Sequence, residues 1–159
     1  MNPEELKIGD LVRVIKEDYI ILKGTICKVI GVNAIDFSEF GGHKPVVSLS
    51  TVNKEEEIRS MSCENIEGIH LTKDILLKNG WKEKVMSRGV KYSHMVYTKP
   101  DIEEYGYFPI YIEKGIGKEF DVYPFTCNNV CTQIAYIKYV HQLQHLLFGL
   151  GLDSSNMIV

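Results

Sequence analysis

The chain has 159 residues and a formal net charge of −3, with 45% hydrophobic and 25% charged residues. These values are typical of a globular protein with one ordinary domain or two small ones, and they argue against disorder. The negative charge gives no global attraction to nucleic acid or to an acidic membrane, and no apolar run approaches the roughly 18 residues that span a bilayer.

Charge is unevenly distributed along the chain. Residues 1–68 contain 8 Lys/Arg and 12 Asp/Glu, a net of −4, whereas residues 73–99 contain 7 Lys/Arg and 2 Asp/Glu, a net of +5. The opening residues are polar and acidic, unlike a signal peptide. Because four cysteines then occur without a secretion signal, we expect reduced thiols and a cytoplasmic location.

The first part of the chain predicts several short strands separated by turns. Turn signals stand at Lys23-Gly24 and at Gly41-Gly42, between runs that are rich in β-branched residues. The predicted strands are residues 11–15, 25–32, 45–50, 58–61 and 63–66. An Ile-Gly-Asp turn at residues 8–10 feeds the first strand, and a glycine precedes the second. This opening resembles SH3-like and KOW-type barrels, which implies an SH3-like β-barrel at residues 1–68 and no particular function.

The second part, residues 69–159, predicts an α+β arrangement. A short helix at about 72–79 has Thr72 as its N-cap, and Gly80 provides a left-handed stop. Antiparallel strands are expected at about 90–137. The closing helix, about 138–149, carries an apolar stripe, and we expect its intervening polar residues to face solvent. The stripe consists of Val140, Leu143, Leu147 and Leu150.

Two cysteines and two histidines form the most suggestive metal pattern. Cys127 and Cys131 precede His141 and His145, and two thiolates with two imidazoles can hold zinc. The nine residues between the pairs are fewer than the usual spacing of about twelve, so we favour two thiols near a strand and two solvent-facing histidines. No cofactor or metal is predicted.

A basic stretch interleaved with aromatic residues is the second signal. Cations neutralise phosphates, and exposed aromatic rings stack on unpaired bases. The charges are spread over a helix, a loop and a strand, so they need not converge, and a solvated face with core aromatics is the alternative interpretation. The candidate nucleic-acid contacts are Lys78, Trp81, Lys82, Lys84, Arg88 and Lys91.

Catalysis finds little support in the sequence. A nucleophile needs a base and an orienting group that converge on it, and no such constellation is visible. Cys27 lies in an apolar strand and is interpreted as core packing. We therefore predict no catalytic residues and no enzyme; a site assembled from scattered His, Cys and Glu is the weakest alternative.

Three segments together resemble one family. The Tyr-Val-His-Gln-Leu-Gln run within residues 137–148 is similar to the closing helix of a group of short uncharacterised proteins, encoded in gut-bacterial genomes and often in prophage or mobile-element neighbourhoods. That group also has a Leu-x-Ile-Gly-Asp-Leu-Val turn, matched by residues 6–12, and a mid-chain Leu-Thr helix, matched by residues 71–81. The resemblance implies one natural unit in which the His-Gln-Leu-Gln-His run is structural, and it brings no known activity.

The combined interpretation is an α+β protein that acts as a non-enzymatic interaction module, of a prophage or mobile element. A protein partner is expected, without membrane attachment, and the sequence leaves the partner and the oligomeric state open. A nucleic-acid-binding protein that uses residues 73–99 is the alternative.

Overall fold

The architecture was determined from a computed structural model. It describes residues 1–17, 21–37, 42–52, 54–88, 92–99, 110–115, 117, 119–124, 133–154 and 156–159. Within these residues the chain is mostly β, with two antiparallel sheets and two α-helices. No helix in the described part is long and apolar enough to cross a membrane.

The chain forms two compact units. Unit 1 contains Met1–Ile69 and Tyr139–Ser155, and unit 2 contains His70–Lys138 and Asn156–Val159. The sequence places a boundary after residue 68 and assigns the closing helix to the second part. In the structure this helix belongs to unit 1, because its apolar side and one of its glutamines contact the first strand there.

Unit 1 contains a five-stranded antiparallel sheet. Its strands are β1 (Leu11–Val14), β2 (Ile26–Phe37), β3 (Gly42–Thr51), β4 (Lys54–Ser62) and β5 (Ile66–Gly68). The strand order is β4-β3-β2-β1-β5, and the β2–β3 register shifts between Val29 and Gly31. Among the described strands this order runs from β4 at one end to β5 at the other, which establishes a five-stranded antiparallel sheet.

The closing helix, α2 (Val140–Gly149), supplies buried apolar side chains to unit 1. Leu143 is fully buried and Leu147 is 3% exposed, which confirms the predicted apolar stripe. The remaining core comes from side chains on the strands and their connections: Leu6, Val12, Val14, Ile21, Cys27, Val29, Val47, Leu49, Met61, Cys63 and Ile66.

Unit 2 contains the second sheet and the short helix α1 (Lys73–Lys78). The strands are β6 (Lys82–Arg88), β7 (Tyr92–Thr98), β8 (Ile110–Lys114), β9 (Phe120–Pro124) and β10 (Ala135–Ile137). Each strand pairs antiparallel with the next, which gives the order β10-β9-β8-β7-β6. The strand β6 lies in residues that the sequence interprets as a loop.

The predicted caps of α1 are confirmed. The Thr72 hydroxyl oxygen accepts a hydrogen bond from the Ile75 backbone N–H at 3.2 Å. At the other end Gly80 has φ +83°, and the Trp81 N–H donates to the Leu76 carbonyl at 3.1 Å. This left-handed stop ends the helix and turns the chain into β6.

Candidate functional site

The hairpin β6–β7 at the edge of unit 2 is the first region with functional potential. Its register pairs Lys82 with Thr98 and continues to Arg88 with Tyr92. Because paired residues share a face of the sheet and successive residues alternate, each strand contributes to both faces. The charged strand β6 is therefore part of the sheet through its pairing with β7.

The inner face of this sheet is buried in its middle and exposed towards the hairpin end. Tyr97, Ile112 and Val122 are successive partners across β7, β8 and β9, and all three are buried. Val85 and Met95 also pair with each other on this face, yet they are 61% and 47% exposed. An apolar cross-strand pair in water at a sheet edge is typical of a contact surface.

A charged cluster covers the same face next to this pair. The Lys73 ammonium of α1 lies 2.8 Å from a Glu83 carboxylate oxygen, and the Tyr97 hydroxyl also interacts with Glu83. The hydrogen bond from Lys73 to Glu83 raises the pKa of Lys73. Burial raises the pKa of Tyr97, and the Glu83 charge raises it further. Glu83 is therefore paired with Lys73 of α1, and both side chains remain accessible to solvent, at 31% and 52% respectively.

Among the described members of the predicted nucleic-acid contacts, the lysines are exposed and the tryptophan is buried. Lys78, Lys82 and Lys84 are exposed. Trp81 is only 2% exposed, so its inclusion among the contacts is corrected: the ring packs in the core of unit 2, because the stop of α1 turns it inward. Arg88 is the last residue of β6. Lys91 lies outside the described residues.

A second polar site joins the Ile-Gly-Asp turn to α2 within unit 1. The His145 Nε2 lies 2.8 Å from Asp10 Oδ1, and Asp10 Oδ2 accepts from the Lys7 N–H at 2.7 Å. Gln144 accepts from the Leu11 N–H at 3.1 Å and donates to the Gly9 carbonyl at 3.1 Å. Two of the family-like motifs therefore bind each other.

His141 is the unusual member of this second site. It is 1% exposed, and neither ring nitrogen has a hydrogen-bond partner. Its ring stacks on Tyr139 at 5.5 Å and lies edge-on to His145 at 5.8 Å. Burial lowers the pKa of His141, Asp10 raises it by a smaller amount, and His145 lowers it. The expectation of solvent-facing polar residues is wrong for His141 and Gln144, since both are buried.

The two cysteines that the structure describes show no sign of activation. Cys27 and Cys63 are free and buried, and burial raises the pKa of both. A thiol with a raised pKa carries little thiolate at neutral pH and is a poor nucleophile. Cys127 and Cys131, the two cysteines of the predicted zinc pattern with His141 and His145, lie outside the described residues. Within the described ranges no group of three or more His, Cys, Asp or Glu is arranged to hold a metal ion.

Comparison with protein-family models, with curated proteins and with solved structures gives no match.

Proposed function

We propose that this chain is a non-enzymatic interaction module that binds another protein through the exposed edge of unit 2. The observation that carries the proposal is the Val85–Met95 pair, which extends the buried face of the sheet into solvent. Because about half of each side chain is still exposed, covering the pair contributes about 1 kcal/mol for each residue to binding, before the entropic costs of association. The family resemblance supports a role in a prophage or mobile element.

The internal contacts of the motif residues support a structural role for them. Asp10 contacts His145, and Asp10 and Gln144 form hydrogen bonds with backbone groups of residues 7–11. Asp10 and Gln144 are also buried, which supports a role in building unit 1.

We also propose that unit 1 is an SH3-like barrel in a cytoplasmic bacterial protein. The strand order β4-β3-β2-β1-β5, with the short β5 antiparallel beside β1, supports the barrel. The free thiols of Cys27 and Cys63 support a reducing compartment. SH3-like barrels serve many partners, so this architecture adds no specificity of its own.

The test is capture of host proteins by the tagged full chain and by a double variant, Val85→Thr with Met95→Gln. Both changes keep the size of the side chain and remove its apolar character, and threonine keeps the preference for strands. The matched control is Ile134→Thr, because Ile134 is also half exposed but precedes β10 at the opposite edge of the sheet.

We expect a stoichiometric partner with the natural chain and with the Ile134 control, and loss of that partner with the double variant. Thermal unfolding of all three proteins should coincide, because the changed side chains lie in water. Equal capture by the double variant, or no stoichiometric partner for any of the chains, would overturn the proposal.

Nucleic-acid binding is the second candidate, and the exposed lysines Lys78, Lys82 and Lys84 favour it. The burial of Trp81 and Tyr97 removes two rings that single-stranded bases would need for stacking. Titration of labelled single-stranded and double-stranded DNA and RNA at two salt concentrations tests it. Affinity that falls steeply with salt supports this candidate, and absent or salt-insensitive binding eliminates it.

A further inference from the structure

We propose that β6 binds an extended acidic segment of a partner protein, which adds to the sheet as a sixth antiparallel or parallel strand. This inference rests on the proposed protein-binding function and names the chemistry of the partner. Its elements are the position of β6 at the end of the sheet among the described strands, the charges along that edge and the apolar pair beside it.

The edge strand offers a backbone template. All seven residues of β6 pair with β7 on one side, and the strand order places β6 at the end of the sheet. An edge strand presents a row of backbone N–H and C=O groups that can pair with another chain. Because a partner strand satisfies these groups with its own backbone, this mode of binding depends on an extended partner.

The side chains of β6 divide the edge into two chemically different faces. Lys82 and Lys84 are two residues apart and lie on the face opposite to Val85, the outer face. Both lysines are exposed, although their β7 partners on this face, Thr98 and Val96, are buried. In the described part of the chain no ion pair involves either lysine. Glu83 on the inner face is engaged by Lys73, so it does not offset the lysines. The outer face of the edge therefore carries net positive charge.

Charge also decides against a second copy of β6 as the added strand. Antiparallel pairing of two such strands brings Lys82 and Lys84 of one copy close to the lysines of the other. Like charges on facing strands are destabilising, and lysines on an edge are a known device against self-pairing. Acidic side chains at the same positions are attracted instead.

The inner face of the edge determines which side chains the partner should have at every second position. There the added strand runs past Val85, which lies beside Met95 and is open to solvent. An apolar side chain on the partner would cover this pair, so the best occupant alternates acidic and apolar residues. A nucleic acid could neutralise the lysines but has no polypeptide backbone with which to continue the β-ladder along the edge.

The experiment measures fluorescence anisotropy of a labelled peptide with the full chain. The probe has the length of β6 and alternates glutamate with valine. One comparison probe has lysine in place of each glutamate, and a second keeps the composition without the alternation. Two further probes carry N-methyl groups, each on one of the two alternate sets of amides. A single-stranded oligothymidylate of similar charge is the polyanion control.

We expect the alternating acidic peptide to bind, and the lysine peptide and the unalternated peptide to bind at least about tenfold more weakly. One of the two N-methylated peptides should lose binding while the other keeps it, because only one edge of an added strand faces β6. Equal binding of both N-methylated peptides, or tighter binding of the oligothymidylate, would overturn the inference.

A charge-reversed chain provides an independent arm. Lys82→Glu with Lys84→Glu should weaken binding of the acidic peptide by at least about tenfold and strengthen binding of the lysine peptide. The control, Lys23→Glu with Lys114→Glu, makes the same change in net charge on exposed residues that belong neither to β6 nor to the neighbouring α1. If the control weakens binding as much, the charge effect is global and the inference fails.

The inference and the proposed function fail in different ways. Capture of a partner that depends on Val85 and Met95, together with no binding of any acidic peptide, leaves the interaction module standing and rejects the acidic strand. If neither the partner capture that depends on Val85 and Met95 nor the binding of an acidic peptide is observed, both the interaction module and the acidic strand are rejected.

Discussion

The imidazole of His145 lies 2.8 Å from the carboxylate of Asp10, across 135 residues of sequence. Asp10 is 2% exposed and also accepts a hydrogen bond from the Lys7 N–H, so its carboxylate contacts both the turn before β1 and α2. The adjacent Gln144 bonds the backbone on both sides of Asp10. The closing helix is therefore attached to the first strand by polar contacts as well as by its apolar stripe.

Replacing Gln144 by alanine should lower the free energy of unfolding by about 2–4 kcal/mol. The change leaves the Leu11 N–H and the Gly9 carbonyl without their partner at a buried position, which costs more than the loss of an exposed hydrogen bond. Urea unfolding followed by circular dichroism measures the effect.

The matched control is Gln133→Ala, which removes a partly exposed side-chain bond to Asp121 in unit 2. Its expected cost is about 0.5–1 kcal/mol. Equal costs for the two variants would contradict the structural role assigned to Gln144.

Gly68 should tolerate no side chain. A Cβ there would lie 2.8 Å from Cδ1 of Tyr139 and 3.0 Å from Cε1 of His141. We expect Gly68→Ala to destabilise unit 1 by about 1–3 kcal/mol, because two packed rings must move. Gly149→Ala is the control: an added Cβ meets nothing within 4 Å, and alanine should stabilise the end of α2 by up to about 1 kcal/mol. Thermal unfolding of both variants separates steric overlap from a general glycine effect.

The stability of unit 1 should fall in mild acid because of His141. Burial lowers the pKa of His141 below its ordinary value of 6.5, so the unfolded chain binds the proton more tightly than the folded chain. The stabilising contribution is fully present above pH 6.5 and is lost as the pH falls towards the lowered pKa, with a slope of at most about 1.4 kcal/mol per pH unit. The charged groups that act on His141 are Asp10, which opposes this effect, and His145, which adds to it.

Urea unfolding at about pH 5 and about pH 7.5 measures this dependence. His141→Leu should flatten it without a large loss at the higher pH, because the imidazole nitrogens have no hydrogen bonds to lose. An unchanged pH dependence in the leucine variant would assign the acid sensitivity to other groups.

Removal of the N-cap of α1 should destabilise unit 2 by about 1 kcal/mol. Thr72→Ala leaves the Ile75 N–H without the hydroxyl that now accepts from it. Thr72→Asp keeps an acceptor at the same position and should retain most of the stability, which distinguishes loss of the cap from loss of side-chain packing. Denaturant unfolding of the two variants provides the comparison.

Local chemistry determined several elements from the sequence alone. The hydroxyl of Thr72 and the left-handed Gly80 bracket α1, because caps depend on residues next to them in the chain. The apolar stripe of α2 follows from helical spacing, and Leu143 is buried as that spacing predicts. Alternation in β7 indicates its strand character in the same way.

The missed features depend on partners distant in sequence. Strand β6 begins with Lys82, Glu83 and Lys84, which resemble a charged loop until β7 supplies the hydrogen-bonding ladder. Spacing places His141 and Gln144 on the polar side of α2, yet the turn at Gly9 and Leu11 and the backbone of Gly68 enclose them.

The sequence by itself determined where short helices begin and end and which residues form apolar faces, because these depend on neighbours within a few positions. Only the tertiary structure decided that the closing helix belongs to unit 1, that Trp81 is withdrawn from the surface, and that Val85 and Met95 remain in solvent. Those outcomes depend on which elements pack together, and packing joins residues whose separation in sequence carries no local signal.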